Sequence, residues 1–240
     1  MISHYSCTLE NETGKRRRER NLSKWQAVGI PPEYVFGFNQ KSSRHYSGHK
    51  NEIARAQFGC HQTHLFAWQH FLNSGSVYAL ITEDDAFPLN DCDLIQEISK
   101  LVVSEEFKES PCLIQLGHVI FSKFSFSILF ISILKLIKNF KILRRGYTSS
   151  LSFGTHAYLI NRAMAEFLVQ FEPNGMLGLD ILLINLSKSE LGANIGFQKK
   201  VIPLVRQERI DSSIPTNQEY FGNLSGKLNL SEIISCVAES

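Results

Sequence analysis

Tyr78-Ala79-Leu80-Ile81-Thr82-Glu83-Asp84-Asp85-Ala86-Phe87 is an apolar run that ends in three consecutive carboxylates. Ala79, Leu80 and Ile81 favour a buried strand, whereas the acids need water, a proton or a cation. Acids at the C-terminal tip of a buried strand lie at the sheet edge where α/β proteins bind ligands. In extended geometry Glu83 and Asp85 face one side and Asp84 the other. Two carboxylates on one face can share a hard divalent cation, Mn²⁺ or Mg²⁺, and leave positions open for phosphate oxygens. Taken alone, the run reads first as an acidic turn after a strand, and the rest of the chain reverses that order.

Outward from this run, strands alternate with helices. Ile2 to Leu9, Tyr34 to Phe38, Cys112 to Gly117 and Thr155 to Ile160 read as strands. A segment from Phe197 ends in Ile202-Pro203-Leu204-Val205, an edge strand by its proline. Leu22, Trp25, Val28 and Ile30 recur at helical spacing before Pro31-Pro32, and Glu52 to Asn73, Leu94 to Val103 and Arg162 to Phe171 follow the same period. This alternation predicts an α/β sandwich of three layers. A chain of 240 residues suits one elaborated domain, here 1–210, followed by a polar tail, 211–240.

The five cysteines are odd in number and lack paired CxxC spacing, which excludes a disulfide framework and suits a reducing compartment. The opening MISHYSCTLENETGKRRRER has no apolar stretch ahead of a cleavage site and does not read as a signal peptide. The net charge of +2 conceals an asymmetry. Between Glu109 and Glu166 there is no acid, yet Lys123, Lys135, Lys138, Lys141, Arg144, Arg145 and Arg162 fall there; without them the chain is net acidic. The basicity is therefore local and suits a surface that meets anions.

Much of it lies in 121–145, FSKFSFSILFISILKLIKNFKILRR. The uncharged run within it, Phe124 to Leu134, is far shorter than the ~20 residues that span a bilayer. Wound as a helix, Ile133, Leu136, Ile137, Phe140 and Leu143 gather opposite Lys135, Lys138, Lys141 and Arg145. That pattern predicts peripheral contact with a membrane surface; a core helix with a solvated basic face is the alternative. The basic residues are interleaved with aliphatics more than with stacking aromatics, which speaks against nucleic acid as a partner.

Several blocks in order resemble glycosyltransferase family 25, the bacterial lipopolysaccharide and lipooligosaccharide transferases. They are Phe58-Gly59-Cys60-His61-Gln62-Thr63-His64, Ala79 to Asp85, Leu116-Gly117, Gly154-Thr155-His156-Ala157-Tyr158-Leu159-Ile160, Asp180, and Pro203-Leu204-Val205-Arg206-Gln207. That family typically shows G-C-x-x-S-H, A-L-I-x-E-D-D and G-T-x-x-Y-L-I blocks; here Thr63 stands for the serine and keeps its hydroxyl. The resemblance covers roughly 1–210 and implies a GT-A-like three-layer α/β/α sandwich with a mixed central sheet. It further implies a UDP-sugar donor, commonly UDP-galactose, and an inverting transfer onto a lipid-linked oligosaccharide acceptor. The place of action it implies is cytoplasmic, peripheral on the inner face of the cytoplasmic membrane.

On this reading Glu83 and Asp85 hold Mn²⁺ or Mg²⁺, and Asp84 orients the donor ribose or assists the metal. A metal on the pyrophosphate neutralises the leaving nucleotide. Asp180, alone among Leu177, Leu179, Ile181 and Leu182, is the candidate general base; an acid that simply favours a helix N-terminus is the alternative. His64 would hydrogen-bond near the donor, Arg16 and Arg17 would meet its phosphates, and Gln207 would close over the site. Cys60 and His64 have the spacing of two metal ligands on one helix, but no second pair accompanies them to make a structural zinc site. His156 is an additional ligand or a structural histidine. A non-catalytic, membrane-associated binder of glycan or nucleotide-sugar that kept the fold is the competing function; it has no need of the acids.

Overall fold

The structure, a computed structural model, describes residues 2–37, 52–89, 91–104, 107–108, 110–117, 147–149, 151, 153–171, 178–190, 195–200 and 203–208. The segment 121–145 and the tail 211–240 lie outside the described residues.

Seven strands form one mixed sheet: β1 (Ile2–Leu9), β2 (Glu33–Gly37), β3 (Tyr78–Glu83), β5 (Cys112–Gly117), β6 (Tyr147–Thr148), β7 (Ala157–Asn161) and β8 (Gly196–Lys200). Their spatial order is β2-β1-β3-β7-β5-β8-β6. β1, β2 and β3 run parallel; β7 is antiparallel to both β3 and β5; β8 runs parallel to β5, and β6 closes the edge antiparallel to β8. Ala79, Leu80 and Ile81 of β3 are fully buried, because helices cover both faces. A continuous apolar run is what a strand covered on both sides requires.

Alternation along β3 divides the core. Ala79 and Ile81 pack with Leu65, Trp68 and Phe71 of α2 (Glu52–Asn73), Met164 and Leu168 of α4 (Arg162–Leu168), and Leu182 and Leu186 of α5 (Leu179–Lys188). Tyr78 and Leu80 pack with Trp25 of α1 (Glu12–Ala27) and with Leu94 and Ile98 of α3 (Asp91–Val103). Two helical layers thus enclose the sheet, giving the three layers that the alternating pattern implies.

Three local outcomes differ from the linear reading. The basic cluster Lys15–Arg20 is part of α1, which starts earlier than its apolar period: Asn11 caps it by accepting from the Gly14 amide at 2.8 Å. The strand that Thr155 opens in the sequence starts at Ala157, and residues 154–156 approach it as loop. The segment read as ending in one edge strand instead contributes to two sheets. β8 joins the large sheet, while β9 (Val205–Gln207) pairs antiparallel with β4 (Ala86–Pro88) in a separate ribbon, with Ala86 opposite Gln207. A three-residue β4 immediately after the acids has no period to betray it.

Candidate functional site

Antiparallel β7 organises the site. Its first residue, Ala157, lies opposite Thr82 on one side and Gly117 on the other, so Gly154-Thr155-His156 arrives at the edge where β3 releases its acids. There the Glu83 amide donates to the His156 carbonyl at 3.1 Å. Gly117 cannot carry a side chain: a Cβ there would sit 2.6 Å from the His156 ring and 3.0 Å from the Val205 carbonyl oxygen. The Leu116-Gly117 block is thereby explained by close packing against the loop ahead of β7.

The turn Asp84-Asp85 is gripped by one face of α1. Arg17, Asn21 and Trp25 recur at i, i+4 and i+8 and are all buried. Arg17 Nη1 lies 3.3 Å from Asp84 Oδ1 and 3.8 Å from Asp85 Oδ2. Asn21 Nδ2 donates to the Asp84 carbonyl at 3.0 Å, and Trp25 Nε1 to that of Ala86 at 3.0 Å. From β1, Thr8 Oγ1 donates to Asp84 Oδ2 at 2.7 Å, and the Asp84 amide donates to Cys7 O at 2.9 Å. Both Asp84 oxygens therefore have protein partners, and this residue fastens the acidic turn to β1 and α1. Thr8, Asn21 and Thr155 were not singled out in the sequence. The Arg17-x₃-Asn21-x₃-Trp25 spacing was the available signal.

Glu83 and Asp85 converge on one donor although Asp84-Asp85 form a turn and not the extended run expected from the sequence. Gln207 Nε2, delivered by β9, donates to Glu83 Oε2 at 3.2 Å and to Asp85 Oδ2 at 3.3 Å. Thr155 Oγ1 donates to Glu83 Oε1 at 2.8 Å. Asp85 Oδ1 is buried without a hydrogen-bond partner. Such an orphaned oxygen is costly unless a ligand or cation completes it.

Asp180 sits in the first turn of α5, partly buried, with Oδ1 accepting from the Ile181 amide at 2.9 Å and Oδ2 from the Gly154 amide at 3.4 Å. Through Gly154 and Thr155 it adjoins the acid cluster, and it borders a small cavity with Gln115, Thr155, Tyr158 and Leu183. Burial raises its pKa. His64 is fully buried; its Nδ1 bonds Tyr158 Oη at 2.7 Å and its Nε2 stands 3.9 Å from Glu83 Oε1. Arg16 lies apart from this constellation, exposed on α1 beside Thr13. His156 is buried against Gly117 and falls outside the group of His, Cys and carboxylate atoms that gathers around Glu83.

The electrostatics give a testable pH profile. Burial, with Asp85 nearby, pushes Glu83 up to about 8; burial, opposed by Arg17, pushes Asp85 up to about 7. Both bind protons more tightly folded than unfolded, so each costs stability as pH rises from the ordinary carboxylate range through those values. Burial lowers His4 and His61 to about 4 and His64 to about 3, and these neutral histidines cost stability as pH falls below about 6.5. Above pH 6.5 only the carboxylate effect remains of the two. The metal-free protein is therefore expected to lose stability between pH 6.5 and 8, measured as a falling urea midpoint in chelator. The Glu83→Gln/Asp85→Asn variant should lose much less.

Residues 15–183 match the model of glycosyltransferase family 25 (LPS biosynthesis protein). None of the curated protein sequences compared matches the chain. Among solved structures, it is similar to mannosyltransferase PcManGT from Pyrobaculum calidifontis in complex with GDP-Man and Mn²⁺, at 11% identity and a TM-score of 0.45. That similarity covers 90% of this chain, which spans 57% of the mannosyltransferase chain. It is also similar, at 9% identity and a TM-score of 0.36, to a glycosyltransferase involved in glycosylation of the major capsid of PBCV-1, over 79% of this chain and 68% of that one. With a family model matched over more than half its length, and with the acid block, Leu116-Gly117 and the Gly154–Ile160 block assembled at one sheet edge, the chain belongs to glycosyltransferase family 25.

Proposed function

We propose that this glycosyltransferase is a metal-dependent inverting hexosyltransferase, with galactose from UDP-galactose the first candidate donor sugar and a growing lipopolysaccharide or lipooligosaccharide glycan the acceptor. The observation that carries the reading is the convergence of Glu83 and Asp85 on one amide, with Asp85 Oδ1 buried and unpartnered. An oxygen-only donor set of this kind fits Mn²⁺ or Mg²⁺. When bound, such a cation supplies charge neutralisation for the departing nucleoside diphosphate.

The chain's own residues do the rest. Arg17 and Thr8 hold Asp84, and so hold the acidic turn rigid at the sheet edge. Gln207 and Thr155 orient the two carboxylates, so that a cation would meet oxygens already aimed. Asp180 accepts the proton of the acceptor hydroxyl: burial raises its affinity for that proton, and two backbone amides keep the carboxylate oriented. Arg16, exposed on the same helix as Arg17, remains available to donor phosphates that approach along α1. No helix among the described residues is long and apolar enough to cross a membrane. Contact with the inner face of the cytoplasmic membrane is proposed through 121–145, from the amphipathic pattern of its sequence.

Nucleoside-diphosphate release from a panel of UDP-sugars, with and without Mn²⁺ and a lipooligosaccharide acceptor, tests this reading. One donor should turn over only with metal. Asp180→Asn should lower kcat by about 10²–10⁴-fold, the usual worth of a general base, with donor KM little changed. Full turnover in chelator, or an Asp180→Asn enzyme of wild-type kcat, would contradict the mechanism.

A further inference from the structure

Beyond the oxygen donors of Glu83 and Asp85, a second ligand set meets at the same sheet edge. Cys60 and His64 lie one turn apart on α2 and face Glu83 across the top of β3. One ligand atom from each of the three lies within 4.8 Å of the others. His64 is fully buried, and its Nε2 has no hydrogen-bond partner; Glu83 Oε1 is 3.9 Å away, too far for a hydrogen bond. A buried ring nitrogen left in that state is expensive.

Two of the three ligands are also braced from behind. His64 Nδ1 is bonded to Tyr158 Oη at 2.7 Å, and Trp68 Nε1 donates to the same oxygen at 2.9 Å. The His64 ring stacks on Tyr158 with centroids 5.6 Å apart. Thr155 Oγ1 fixes Glu83. Outer partners that orient an imidazole and a carboxylate in this way are the normal support of a metal centre.

We propose that Cys60, His64 and Glu83 form a site for a thiophilic divalent cation of the zinc type. Sulfur, imidazole nitrogen and one carboxylate oxygen favour Zn²⁺ over Mg²⁺. In tetrahedral coordination neighbouring ligand atoms stand roughly 3.3–3.7 Å apart, so the trio, now within 4.8 Å, has to contract by no more than about 1.5 Å. Binding exchanges the Cys60 thiol proton, and the proton that Glu83 holds near neutral pH, for the cation and releases both to solvent. Three protein ligands leave a fourth position for water or an anionic oxygen. The site does not depend on the transferase reading, and it shares only Glu83 with the oxygen donors described above.

The test uses the full chain, freed of metal by chelator and titrated with Co²⁺ alone, without nucleotide. A near-ultraviolet sulfur-to-Co²⁺ charge-transfer band should appear, and Zn²⁺ should abolish it stoichiometrically. Cys60→Ser should lose the band while keeping the wild-type melting midpoint in chelator. Tyr158→Phe should weaken Co²⁺ binding about 10–100-fold, as loss of an outer partner does. Cys7→Ser and Asp85→Asn should both retain the band. Absence of the band in the wild-type chain, its survival in Cys60→Ser, or its loss in Cys7→Ser or Asp85→Asn would each overturn the proposal. A folded Glu83→Gln that keeps wild-type Co²⁺ affinity would do the same.

Discussion

Asp85→Asn is expected to lower metal-dependent sugar transfer by about 10³-fold while leaving the fold at least as stable as the wild type. The activity loss follows from the proposed role: a cation on the pyrophosphate stabilises the leaving group by several kcal/mol, and each 1.36 kcal/mol is tenfold in rate. The stability expectation follows from geometry. Glu83 and Asp85 share one amide donor, Asp85 Oδ1 has no partner, and each carboxylate is pushed towards its protonated form. An asparagine removes one of two mutually repelling charges from a buried place. Nucleoside-diphosphate release at saturating Mn²⁺, alongside a melting curve in chelator, reads both effects. A variant within tenfold of wild-type turnover would remove Asp85 from the metal site.

Arg17→Met should destabilise the protein by about 3–5 kcal/mol, the cost of leaving a buried charge without its partner. The Arg17 side chain is 7% exposed and faces two carboxylates, at 3.3 and 3.8 Å. Its removal leaves Asp84 and Asp85 buried together at the end of β3. Urea denaturation at pH 7 measures the loss, and Arg17→Met/Asp84→Asn should recover part of it, because the second change removes one of the stranded charges. Arg17→Met matching the wild-type midpoint would show that solvent already neutralises the turn. The contrast between the two substitutions is instructive. Asp85 is placed at a cost to stability, whereas Arg17 offsets part of that cost.

The linear order of residues determined a good deal of this protein. The continuous apolar run Ala79–Ile81 announced a strand covered on both faces, and the 3.6-residue period announced α2 and α3, because burial imposes those patterns locally. The acids after β3 placed a candidate site at a sheet edge, and several family blocks in tandem identified glycosyltransferase family 25.

Only the tertiary structure decided what surrounds them. The antiparallel insertion of β7 between β3 and β5 brings Thr155 onto Glu83 from 72 residues away, and β9 brings Gln207 from 124. The sequence offered Arg17 as a contact for donor phosphates; the packing of α1 against the acidic turn made it a buried counter-ion. Cys60 and His64 lacked a second pair in the sequence, and the fold supplied Glu83 from a different element. Local periodicity reports what each segment buries, but it carries no record of which distant segment it is buried against, and at this sheet edge the chemistry is set by those distant partners.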